Sequence, residues 1–105
     1  MNTMHDPIQI AVTSNCSGVP QFGEQLGDFL SEQDLKQLDF AELMSYSKTV
    51  ANRVINNKYP PRWMTFKDLK IIATKLDLNS EQLSKLIIAF TCALLRMKGF
   101  PHELR

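Results

Sequence analysis

Apolar residues recur along this chain at intervals of three and four, and they do so in blocks. Phe22, Leu26, Phe29 and Leu30 make the first block, and Pro20 suits a first helical position, so a short helix is predicted from about 20 to 30. Phe40, Leu43, Met44, Val50, Ala51 and Val54 make the second. Ser31 with Asp34, and Asp39 with Glu42, have the spacing of capping boxes, which predicts a turn near 31 to 38 feeding one longer helix from 40 to about 57. A loop around Pro60 and Pro61, from Asn57 to Met64, precedes a helix opened by Thr65 and Asp68, with Phe66, Leu69, Ile72, Ala73 and Leu76 facing inward. Asn79 and Ser80 cap a last helix that is expected to reach about Lys98 and to stop at Gly99 and Pro101.

This pattern predicts an all-α protein: one compact four- or five-helix domain over 19–105, with an extended N-terminal arm over 1–18. In the arm, Ile8, Ile10 and Val12 alternate with Gln9 and Ala11, a period of two that marks an extended segment. A lone strand needs a partner. It could pair with its symmetry mate, add to the sheet of a target protein, or lie as a tail or arm on the helices.

The last helix carries more apolar surface than one buried face needs. Leu83, Leu86, Ile87, Phe90, Leu94 and Met97 form one stripe, and Ile88, Cys92 and Leu95 form a second on nearly the opposite side. Such a helix is either central to its own domain or covered by another chain. A homodimer or a heterologous protein partner follows from the second alternative, with Ile88, Cys92 and Leu95 at the interface.

The chain has 105 residues and a formal charge of +1, which fits one ordinary domain and gives no bulk sign of a nucleic-acid or membrane partner. Its longest apolar run, Leu86 to Leu95, is ten residues against the roughly 20 that span a bilayer. The N-terminus lacks the features of a signal peptide, so a cytoplasmic protein is expected. His5 and His102 each lie near an end of the sequence, a poor basis for a preorganised triad or zinc site. Cys16 and Cys92 lack CxxC spacing and read as free thiols of a reducing compartment, with a disulfide as the alternative. No nucleophile–base pair or phosphate-cradling glycine loop occurs, so neither an enzyme nor a cofactor, metal or small-molecule site is expected.

Charge along the sequence changes this picture. Residues 1–47 hold seven acidic side chains and one basic one, for a net of −6, whereas residues 48–76 hold seven basic and one acidic, for +6. Tyr59 and Trp63 sit among those basic residues, a mixture that can stack bases or anchor a protein. Lys67, Lys70 and Thr74 are expected to share one helix face. Alternatively, the acidic helices pack beside the basic ones and neutralise them, and Trp63 plugs the bundle.

The run IATKLDLNSEQLSKL, from Ile72 to Leu86, resembles the core of a Cro/repressor-type helix-turn-helix. That pattern has a small residue, then apolar residues three, five, ten and thirteen positions later, met here by Ala73, Leu76, Leu78, Leu83 and Leu86. The resemblance implies a recognition helix starting near Ser80, with Asn79, Ser80, Gln82, Ser84 and Lys85 toward DNA and Lys67 and Lys70 nearby. Asp77 stands where that family has glycine, Glu81 brings a negative charge, and the helix continues into the apolar run IIAFTCALL.

Two readings follow. The preferred one is a small non-enzymatic regulatory protein that binds another protein, as an adaptor or an inhibitor of a transcription factor, and forms a homodimer. Its interface would use Ile88, Cys92 and Leu95, Tyr59 and Trp63, or the arm residues Ile8, Ile10 and Val12. The alternative is a dimeric helix-turn-helix DNA-binding regulator.

Overall fold

The structure is a computed structural model, and it describes residues 16–97. It is all-α, with five helices among the described residues: α1 (Phe22–Glu32), α2 (Gln37–Met44), α3 (Lys48–Asn56), α4 (Phe66–Lys75) and α5 (Ser80–Met97). Helix α1 lies between α3 and α5, α2 packs on α3 and touches α4, and α4 packs on α5. The arm residues Ile8, Ile10 and Val12, and the predicted stop at Gly99 and Pro101, lie outside the described residues.

Side chains from all five helices build one core. Phe22, Leu26, Phe40, Val54, Leu69, Ile72 and Leu86 are fully buried, each contributing ~1.5–3 kcal/mol of transfer free energy. Phe90 of α5 receives two aromatic neighbours edge-on, Phe22 at 5.5 Å and Phe66 at 5.1 Å between ring centroids. Gly23 permits a close approach of α1 to α3, since a Cβ there would lie on the Ile55 carbonyl of α3. Gln33 Nε2 donates to the Leu76 carbonyl at 2.7 Å, tying the end of α1 to the end of α4.

The helix starts follow from local capping. The N-cap amides of Gln21, Lys36, Thr65 and Asn79 donate to the side chains of Glu24, Asp39, Asp68 and Gln82, each three residues on. Helix α1 therefore begins two residues after Pro20, which sits outside it, and Ser31 lies inside α1 rather than capping the next helix. Likewise, Asp39 serves as the acceptor of a box opened by Lys36 and does not open one itself.

The single helix expected from 40 to 57 is two. Helix α2 ends at Met44, its C-cap Ser45 has the left-handed φ of 58°, and the Ser47 hydroxyl caps α3 by accepting from the Val50 amide at 3.1 Å. Leu43, expected inside, is 38% exposed as a result.

Cys16 and Cys92 form a disulfide with Cα atoms 5.5 Å apart, so they are not free thiols. The bridge seats Cys16–Val19 over the second stripe of α5, where Val19, Ile88 and Leu95 pack around the two sulfurs. The segment is a tight turn in which the Val19 amide donates to the Cys16 carbonyl at 3.2 Å. Arg96 Nη2 donates to the Cys16 and Val19 carbonyls at 3.0 and 2.9 Å. Ordering four residues costs ~1–2 kcal/mol each, about what two charge-assisted bonds at ~1.5–3 kcal/mol each return. Cys16 also takes a left-handed φ of 61°, an added cost for a residue with a Cβ. Residues 16–18 thus belong with the helical body, not with the arm.

Candidate nucleic-acid interface

The second apolar stripe of α5, which suggested a partner-binding face, is occupied by the chain itself. Cys92 is fully buried in the bridge, and Ile88 and Leu95 are only half-buried around it. Tyr59 is half-buried, with Lys58 Nζ 5.5 Å from its ring centroid. Trp63 is 49% exposed and lies edge-on to Tyr46 at 5.8 Å, so it rests on the α2–α3 turn instead of plugging the bundle.

Lys67, Lys70, Thr74 and Lys75 do share one outward face of α4, around the exposed Ile71. Asn79 is the cap of α5, its side-chain oxygen accepting from the Gln82 amide at 2.8 Å, and Gln82 also reaches Glu32. Ser80, Ser84 and Lys85 are exposed, and Lys85 pairs with Glu81 at 3.9 Å. Beyond Lys85, α5 turns inward, with Leu86 and Ala89 through Ala93 buried. Only the first turns of the expected recognition helix are therefore open to a ligand, and their charge is internally balanced.

Three of the interhelical turns are built alike. Leu35, Tyr46 and Leu78 donate their amides to the carbonyls of Leu30, Ala41 and Ala73, five residues back. Asp34, Ser45 and Asp77 hold the left-handed residue before each, with φ of 59°, 58° and 55°. Each is a Schellman turn made without glycine. What separates the three hairpins is the helix that follows.

Helix α3 is the distinctive one. It contains Lys48 and Arg53 and no carboxylate, and the 25 residues from Leu43 to Lys67 hold five basic side chains and no acidic one. Its inner face is Ala51 and Val54, both fully buried. On the outer face, Lys48, Thr49, Asn52 and Arg53 are all exposed and line one shallow groove with Gln37 of α2. Asn56 extends the row and donates to Gln37 Oε1 at 2.8 Å, fixing the end of the groove. The spacing described for Ala73 also starts at Ala41, continuing through Met44, Tyr46, Ala51 and Val54, all buried or half-buried. Sequence reasoning missed this set because it carried one helix through the turn. The polar Ser45 and Ser47 flanking Tyr46 coincide with the break, but residues of these types also fit a helix interior and so do not mark it by themselves.

The acidic helices do not neutralise this face through contact. Helices α1 and α2 pack on α3, yet the Lys85–Glu81 pair is the sole ion pair among the described residues. No group of acidic, His or Cys side chains there is placed to hold a metal ion, and no helix there is long and apolar enough to cross a membrane.

The chain has no significant match among protein-family models, characterised proteins or solved structures.

Proposed function

We propose that this protein binds double-stranded DNA, with α3 as the helix that enters the major groove. The observation that carries this reading is the outer face of α3: a hairpin's second helix, exposed along one side, basic, and free of carboxylates. A helix about 10–12 Å across with its side chains fits a groove ~12 Å wide, and the nine residues of α3 supply about 13–14 Å of length to lie along it. Thr49, Asn52, Arg53 and Asn56 follow the i, i+3, i+4 spacing that puts them on one side. Asn and Arg are the side chains that pair bidentately with adenine and guanine edges. Lys48 lines the same groove, Lys58 and Arg62 follow in sequence, and all three suit phosphate oxygens.

Selection of bound duplexes from a randomised library tests the reading. Enrichment of a defined half-site, with affinity falling by roughly one power of salt concentration per phosphate contact, is the expected result. Recovery of no duplex above background at low salt contradicts it.

A protein partner is the second reading, favoured by the half-exposed Trp63 beside Arg62. Trp63→Ala leaves duplex binding within a few-fold on the first reading and abolishes capture of the partner on the second.

A further inference from the structure

We propose that the Cys16–Cys92 bridge is a redox latch that governs whether residues 16–19 cover the second apolar stripe of α5. Three features of the segment point to a latch rather than to a staple of the whole fold. It is peripheral to the main core: Cys16, Cys92, Val19, Ile88 and Leu95 form a cluster of their own, apart from the one built by Phe22, Phe40, Leu69 and Phe90. Its backbone is strained at Cys16, a residue with a Cβ held at a φ of 61°, so letting go relieves that cost. Its remaining fixings include two bonds from one side chain, Arg96, to the carbonyls of Cys16 and Val19.

The chemistry needs a dithiol reductant. A thiolate of that dithiol attacks Cys16 Sγ, the S–S bond breaks, and Cys92 leaves as a thiolate that takes up a proton. The dithiol's second thiol then displaces Cys16 from the mixed disulfide. The reductant is oxidised to its own disulfide, and the protein gains two electrons and two protons as two thiols. Both cysteines are 2% exposed or less, so attack waits on transient opening of the 16–19 turn. Once reduced, the turn leaves α5, and Ile88 and Leu95 become exposed. Cytoplasm keeps thiols reduced, so in a DNA-binding protein the latch closes under oxidising conditions. The latch itself stands or falls without DNA.

Native-state hydrogen exchange, read at the Val19 amide with and without excess dithiothreitol, tests this. The proposal expects protection at Val19 to fall more than tenfold on reduction, while the amides of α1 and α4 keep theirs and the helical circular-dichroism signal is unchanged. Cys16→Ser is expected to match the reduced protein without reductant, and Arg96→Ala to stay closed while the bridge is intact. Unchanged protection at Val19 after complete reduction overturns the latch, because the segment then needs no bridge. Loss of the helical signal on reduction, or in Cys16→Ser, also overturns it, because the bridge is then a staple of the fold.

Discussion

Tyr46 sits at the junction of the two halves of the α2–α3 hairpin, half-buried, with Phe40 edge-on at 5.7 Å and Trp63 at 5.8 Å. Burial raises its pKa above the ordinary 10.0, and the negative charge of Asp68 adds to the rise. The unfolded chain therefore ionises first as pH increases. The stability that neutral Tyr46 contributes is intact below about pH 10 and is lost as the pH rises above it, until the folded protein titrates too. Urea unfolding at pH 9 and pH 11 is expected to show a larger loss for the wild type than for Tyr46→Phe. Equal losses would remove the assigned role. At this scale the sequence was partly readable: Asp77, at the position where the helix-turn-helix pattern has glycine, takes a left-handed φ of 55°. Ser45 and Asp34 do the same with no glycine to announce them.

Helices meet where side chains are small, and Gly23 shows it most sharply. Its missing Cβ lets α1 approach the Val54 and Ile55 carbonyls of α3, which are backbone and cannot step aside as a side chain would. Gly23→Ala gains ~1 kcal/mol of helix propensity but overpacks the α1–α3 contact by ~1–3 kcal/mol or more. A thermal midpoint several degrees below wild type is expected, and an unchanged or higher one would show that the helices separate freely. The same scale explains which elements were legible. Helices α4 and α5 have polar caps at Thr65 and Asn79 directly before their apolar stripes, so their starts follow from sequence. The α2–α3 break does not, because Phe40, Met44, Val50 and Val54 keep a helix-like period across a turn whose residues, Ser-Tyr-Ser, also occur inside helices. A missed break hid the candidate site, since an α3 that starts at Lys48 presents its first turn outward and a continuous helix from 40 does not. With two cysteines in the chain a bridge could join only Cys16 to Cys92, but the choice between free thiols and a disulfide was not legible, because 76 residues separate them and spacing says nothing about a contact made by folding.

Over the whole molecule, the near-zero net charge conceals two opposed regions that fold against each other without cancelling. Carboxylates of α1 and α2 remain in solvent or cap helices, and the basic residues from Lys48 to Lys75 make no ion pair among the described residues. That leaves a local positive face on a nearly neutral protein, suited to a polyanion approached from one side. The most direct measurement compares two double variants for binding to a selected duplex by fluorescence anisotropy at a single stated salt concentration. Asn52→Ala with Arg53→Ala removes the proposed base-reading pair of α3, and Ser84→Ala with Lys85→Ala removes the exposed start of α5. Loss of at least ~10-fold in affinity from the α3 pair, from ~1–3 kcal/mol per bidentate contact, with the α5 pair within a few-fold of wild type, is the predicted result. Loss through the α5 pair with α3 indifferent would contradict the account and return the recognition helix to Ser80.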